Sequence, residues 1–319
     1  GVQAEQRGKA YRFHFIPDEP VLAFMPFKLN PENYVEVRSL KNISADLKLT
    51  GPENAALWIH SNADSTELAV EINQIDLQQL SRFAAIPDMQ GRVNVALRYV
   101  PSDVSYLIAA DANIDNLIFR GQPVGELLLN GVYLPLDNNR HRFDAHFYHN
   151  ESELATVSAF YRQPQQKQAQ GAIDGTMQFD RIPLNELNPF FGGALDMQGV
   201  LRGRLTLESR DRGPIWNGYL QLDSTSMYVR AVGTRFRFDD QEVDIKDSKL
   251  RLTKYGIYTT GGNPFTISGT VDLSKSMKET ADLRLAAQDM LLIDAPDGAP
   301  GAMLYGRLPI DLNLTARGP

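Results

Sequence analysis

The chain of 319 residues has no cysteine. Disulfide scaffolding and thiol catalysis are therefore excluded, and the compartment is left open. Positive charge is in deficit: 32 Lys and Arg stand against 39 Asp and Glu, for a net charge of −7. That argues against a nucleic-acid binder, which carries a basic stripe, and against a polybasic membrane-surface protein. No stretch approaches the roughly 18 apolar residues of a membrane span, and no signal peptide is visible. Low-complexity tracts are missing too. So are the Gly-x-Ser-x-Gly elbow, the Gly-x-x-x-x-Gly-Lys phosphate loop and His-Glu-x-x-His.

What is present is alternation. Val93, Val95, Leu97 and Tyr99 share one side of an extended segment. The same reading groups Leu205 with Leu207, Leu220 with Leu222, Phe236 with Phe238, and Leu250 with Leu252. Farther on come Phe265, Ile267 and Val271, then Leu283 and Leu285, then Leu308, Ile310, Leu312 and Leu314. The opposite sides carry Asp, Arg, Thr, Ser, Asn and Lys. Period-2 alternation of this kind predicts antiparallel sheet with one dry face and one wet face. Roughly 18 to 20 short strands fit at ordinary spacing, with turns at Asp137-Asn138-Asn139, Gly261-Gly262 and Asn263-Pro264.

Two segments break the pattern. Leu77, Leu80 and Phe83, and again Leu184, Leu187 and Phe190, recur three apart. They predict short amphipathic helices near 76–84 and 183–191, with Pro183 suited to a first turn and Pro87 and Pro189 limiting their length. Each is followed by Asp-Met-Gln-Gly, at 88–91 and 196–199, read as a turn, and then by a strand. A degraded third copy has Leu291 and Leu292 where a helix would fall, with Gly306 before the last strand. Gly91, Gly199 and Gly306 are spaced 108 and 107 apart. The chain is thus expected to be one elongated β region built from repeats bounded at 1–91, 92–199 and 200–306, with 307–319 beginning another unit. It begins at Gly1 and stops just after a strand pattern, and so reads as a piece of a longer protein.

Candidate chemistry is thin. His141, His146 and His149 cluster in one strand, but ligands spread along a strand do not converge on a metal; solvent-face histidines are expected. Asp239, Asp240, Glu242, Asp244 and Asp247 alternate with Val243 and Ile245 as on the wet face of a strand, without the glycine of a calcium loop. No pair of carboxylates is singled out for acid/base work, and no enzyme activity, cofactor or metal is expected. The apolar faces remain. They fit the closed core of a sandwich or solenoid, and equally an open greasy groove.

From about Ile182 onward the chain resembles the TamB/AsmA-like proteins of Gram-negative envelopes. The resemblance rests on "PLNELNPFFG", "DMQGVLRGRLTLES", "GPIWNGYLQLDSTSMYVRAVGTRFRF", "IKDSKLRLTKYGIYTTGGNPFTISGTVDLS" and "YGRLPIDLNLTARGP". Residues 40–180 follow the cadence more loosely, and residues 1–35 poorly. The resemblance implies an antiparallel sheet curled into a taco-like hydrophobic trough. Its lining would comprise Val93, Val95, Leu97, Leu205, Leu207, Leu220, Leu222, Phe236, Phe238, Leu250, Leu252, Phe265, Ile267, Val271, Leu283, Leu285, Ile310, Leu312 and Leu314. It implies a periplasmic conduit for phospholipid acyl chains. The full-length protein would be anchored in the inner membrane by an N-terminal helix and would meet an Omp85-type barrel (TamA/BamA-like) at its far end. A part in assembling outer-membrane barrels, as in the translocation and assembly module, is the alternative it implies.

Overall fold

The structure, a computed structural model, describes residues 1–16, 19–22, 25–39, 41–62, 67–84, 88–103, 105–164, 171–210, 213–260, 263–274, 280–298 and 301–318. Strand makes up 74% of it and helix 7%. The fold is all-β, with 21 strands assigned to one antiparallel sheet. Many strands are longer than expected: Gly213–Val229 runs 17 residues. By contacts the chain divides into two units, Gly1–Glu153 with Phe160–Gly171, and Leu154–Ala159 with Ala172–Pro319. The sequence boundaries at 91, 199 and 306 do not coincide with that division.

The first unit is a meander. Val2–Arg7, Ala10–Phe15, Tyr34–Ser39, Asn42–Thr50, Ala56–Ser61, Leu68–Asp76, Met89–Pro101, Tyr106–Phe119, Gln122–Leu136 and Arg140–His149 each pair antiparallel with the next. The N-terminal residues, which fit the sequence cadence poorly, therefore supply two full members of the sheet. The second unit starts with Ala172–Pro183, Leu195–Arg210 and Gly213–Val229. The last of these pairs at its two ends with Thr234–Phe238 and Val243–Lys246. Both of those lead to Lys249–Tyr258, and Phe265–Asp272, Thr280–Ala295 and Gly306–Gly318 follow in order. Tight hairpins are set by local chemistry. Arg120-Gly121, Asn150-Glu151 and Asp247-Ser248 all hold positive φ at both central positions, the requirement of a two-residue type I′ turn.

Both expected helices form, as Leu77–Ala84 and the 3-10 helix Leu184–Phe191. Pro183 serves as the extended residue before the second helix, and Pro189 lies inside it. Pro87 and Gly261-Gly262 lie outside the described residues. Two readings need correction. No helix forms at Leu291 and Leu292, which belong to the strand Thr280–Ala295; Leu291 pairs with Pro309 there. Asp-Met-Gln-Gly is not a turn but the start of a strand, Met89–Pro101 in one copy and Leu195–Arg210 in the other.

The glycine of that tetrapeptide faces a bulge. Val200 lies opposite Asp223 and Gln198 opposite Ser226, so the partner strand carries one extra residue. Gly199 has φ +104°, and a Cβ there would lie 2.5 Å from the Thr225 Cα. Gly91 repeats the arrangement: Arg92 faces Asp115, Gln90 faces Ile118, and a Cβ would meet the Asp115 carbonyl at 2.9 Å. Glycine is required because an extra backbone residue occupies the space of a side chain. On the other side of these strands a second bulge recurs in all three copies. It falls between Ile72 and Ile75, between Phe179 and Ile182, and between Met290 and Ile293, against Val93/Val95, Leu201/Gly203 and Leu308/Ile310.

Candidate functional site: an apolar face left open

Directly opposed residues of an antiparallel pair lie on the same face, so the register traces one face from strand to strand. In the first unit one row runs Leu49, Leu57, Ile72, Val95, Ala112, Leu129, Phe147. The row beside it runs Leu47, Ile59, Val70, Leu97, Ala110, Gly131, Ala145. In the second unit a row runs Met177, Leu205, Gly218, Ile245, Leu250, Val271, Ala281. The row beside it runs Phe179, Gly203, Leu220, Val243 and continues on the same side as Leu252, Gly269, Leu283. Leu207 faces Trp216, Met227 faces Phe236, Phe238 and Phe265 both face Ile257, and Ile267, Leu285 and Leu314 stand in line. Leu222 faces Leu201, Leu312 faces Ala287 and Ile310 faces Met290. Within each unit, register seats these residues on one shared face.

The opposite face is polar and laced with ion pairs and side-chain hydrogen bonds. Arg202 pairs with Asp223 at 3.0 Å and Arg235 with Asp196 at 3.2 Å. The Asn94 and Asn130 amides donate to Asp115 at 2.9 Å and Asp111 at 2.6 Å. Trp58 is on this face, its indole N–H donating to Asp46 at 3.0 Å and its ring stacked on His60. The chain's other tryptophan, Trp216, is on the apolar face. The first unit thus has a tryptophan on its polar face and the second unit one on its apolar face.

The apolar face is neither covered nor flat. None of the expected lining residues is fully buried; Leu97 and Leu314 are 37% and 49% exposed. In the first unit Phe143 and Phe147 are equally open, at 42% and 41%. Ala45, Leu47 and Ile245 are buried within their strands, and in the first unit the packed clusters gather toward one end. There Leu77, Leu117 and Val124 form a core with Leu80 and Val93, and Met25, Phe27, Ala55 and Ile75 form another. The Leu77–Ala84 helix and the Met25–Phe27 segment close this end.

Each unit also curls toward its apolar face. In the second, the Thr234 hydroxyl donates to the Leu292 carbonyl at 3.1 Å and accepts from the Asp294 amide at 3.0 Å. Two strands lie between these segments, so a flat sheet would hold them about 14 Å apart. In the first, the Lys41 ammonium donates to the Asp103 carbonyl across the same two-strand interval. The residues inside that curl, Ile43, Leu68, Tyr99, Tyr106 and Ile108, border a cleft of about 860 Å³. All five belong to the apolar face, so that face is the concave one.

The histidines are not all on the solvent face, as the sequence had suggested. His146 is on the wet face, 2.6 Å from Glu153. His141 and His149 are on the apolar face, opposite Pro135 and Leu127. His149 is buried, bonded to the Val124 carbonyl at 2.6 Å, and the His141 Nδ1 is hydrogen-bonded with the Tyr133 hydroxyl at 2.8 Å. Burial, reinforced by Tyr106, pushes the Tyr133 phenol up to about 12. Burial, then Asp239 and Asp240, does the same to Tyr255. Among the described residues no group of three or more His, Asp or Glu could hold a metal. Phe143, Phe147 and Leu129 also belong to the face. The alternation in "HRFDAHFYH" contained that signal, masked by its histidines and arginines.

Among the described residues no helix is long and apolar enough to cross a membrane. Compared with known proteins, the chain matches no protein-family model, no curated protein and no solved structure.

Proposed function

We propose that the chain is a non-enzymatic carrier section for phospholipid acyl chains in the periplasm of a Gram-negative bacterium, each unit holding them on its apolar concave face. The observation that supports this reading is the half-open state of that face. A sandwich buries its inner residues under a second sheet, whereas here aromatic and aliphatic side chains line a curl with one end closed and the other open. Burying an acyl chain is favourable by about 0.8 kcal/mol per CH₂, on the order of 12 kcal/mol for about 16 carbons. A face of uniform apolarity keeps that gain as the chain slides, and the headgroup stays in water. Nothing in the process calls for a catalyst.

A second reading, assistance to outer-membrane barrel assembly, draws on the Val2–Arg7 strand. It is exposed at all six residues and, among the described strands, pairs on one side only. An incoming strand could extend the sheet there, although Glu5 and Arg7 are the kind of charges that discourage such pairing.

The two tryptophans provide the test. Trp58→Phe leaves Trp216 as reporter of the apolar face, and Trp216→Phe leaves Trp58 as reporter of the polar face. Vesicles of phospholipid brominated on the acyl chain should quench Trp216 and spare Trp58. Equal quenching of both, or none of Trp216, refutes the carrier reading.

A further inference from the structure

The open end of the first unit differs chemically from the rest of its apolar face. Tyr99, Tyr106, Tyr133, His141 and Tyr161 form a row there, successive ring centroids lying 5.3, 6.0, 5.8 and 5.8 Å apart. Hydroxyls run along it: those of Tyr106 and Tyr133 are 3.5 Å apart, and that of Tyr133 is hydrogen-bonded with His141. Rings with an apolar body and a polar tip favour the line where an apolar phase meets water. The cleft at this end is walled by apolar residues, and its mouth carries two exposed charges, Lys41 and Asp137. Lys41 donates to a main-chain carbonyl, and among the described residues neither group makes an ion pair.

Depth is the second observation. From Tyr99 to Val93, which packs under the Leu77–Ala84 helix, the strand covers about 20 Å at roughly 3.3 Å per residue. One leaflet of a bilayer's hydrocarbon core is about 15 Å deep, half of about 30 Å. The face between tyrosine row and helix thus has the length of one acyl chain, wet at one end and closed at the other.

We infer that this mouth is a headgroup station for a zwitterionic, amine-bearing glycerophospholipid, its phosphate on Lys41, its ammonium on Asp137, and its acyl chains laid along the strands toward the helix. The inference rests on the carrier reading and adds an orientation and a headgroup preference. An anionic lipid with no amine satisfies Lys41 and meets repulsion from Asp137. The tyrosine row marks the depth at which the glycerol sits. Tyr133, with its raised pKa, stays a neutral phenol there and keeps its proton for hydrogen bonding.

The test uses the 319-residue chain and vesicles of equal parts phosphatidylethanolamine and phosphatidylglycerol with identical acyl chains. The protein is separated from the vesicles and its bound lipid measured by mass spectrometry. The ethanolamine lipid should be enriched several-fold over its share in the vesicles. Asp137→Asn should bring the ratio back to that of the vesicles without lowering the total. Lys41→Met should lower both lipids. Circular dichroism checks the fold, and because Lys41→Met also removes the bond to the Asp103 carbonyl, the ratio in Asp137→Asn is the deciding result. A vesicle-like ratio in the unmodified chain, or a ratio unaffected by Asp137→Asn, overturns the station, while lipid retained by the unmodified chain still supports the carrier reading. A chain that retains no lipid overturns both.

Discussion

Alanine at the recurring glycines should have a graded cost. Gly199, Gly91 and Gly306 all hold positive φ, +104°, +146° and +110°. A side chain at each is strained by about 1–3 kcal/mol from backbone conformation alone. Their surroundings differ. At Gly199 the new Cβ would lie 2.5 Å from the Thr225 Cα and 2.8 Å from the Ser224 carbonyl, both backbone atoms that no rotamer change can move. At Gly91 the nearest atom is the Asp115 carbonyl at 2.9 Å. At Gly306 nothing lies within 4 Å. Overpacking adds about 1–3 kcal/mol where the neighbours cannot yield. Gly306→Ala should therefore cost about 1–3 kcal/mol, and Gly199→Ala about 2–6 kcal/mol. Gly199 and Gly306 lie in the same unit, so urea titrations of the two variants compare like with like. Gly91→Ala should fall nearer to Gly199→Ala. Equal costs at Gly199 and Gly306, or a neutral Gly199→Ala, would refute the bulge register and the equivalence drawn from it.

Leu252→Arg places a cation among Leu250, Gly269 and Leu283. In a closed core an uncompensated charge costs about 3–5 kcal/mol. On a half-open face the arginine reaches water and the loss should be about 1–2 kcal/mol, with acyl-chain binding greatly reduced; a folded variant that binds lipid normally would count against the carrier reading. Tyr255 adds a pH dependence. Its pKa is raised from 10.0 to about 12 in the folded state, so its contribution is complete below about pH 10 and lost as pH rises toward 12. Tyr255→Phe should remove that part of the alkaline loss and cost about 1 kcal/mol at neutral pH, because its hydroxyl donates to the Asp239 carbonyl at 2.8 Å. An unchanged alkaline melting profile would show that Tyr255 does not carry it.

Closing one end of the first unit limits how much of its apolar face stays accessible. Where Leu77, Leu117 and Val124 pack, no surface remains for a ligand; where Leu97, Phe143 and Phe147 stand open, it does. The Leu77–Ala84 helix therefore sets the open length of that face. Val93 illustrates the division, being on the apolar face but packed against the helix side of it.

The strands, and the face each side chain takes, were legible in the sequence because both are local. A strand turns successive side chains to opposite sides, so alternation in "VNVALRY" or "KLRLT" assigns faces without any knowledge of partners. The two helices were equally local, since a spacing of three between Leu77 and Leu80, or Leu184 and Leu187, is incompatible with a strand face. At Leu291 the local signal failed. A pair of leucines fits helix or strand, and pairing with Gly306–Gly318 decided for strand. His141 and His149 were misplaced because polarity was taken as a sign of exposure, while register seats them opposite Pro135 and Leu127. Whether the dry face is covered was not legible at all. A closed core and an open trough need the same alternation along each strand; they differ in contacts between strands that are not neighbours. Thr234 reaching Leu292 and Lys41 reaching Asp103 are such contacts. They curl the sheet toward its apolar side and leave that side open, and only tertiary structure decided it.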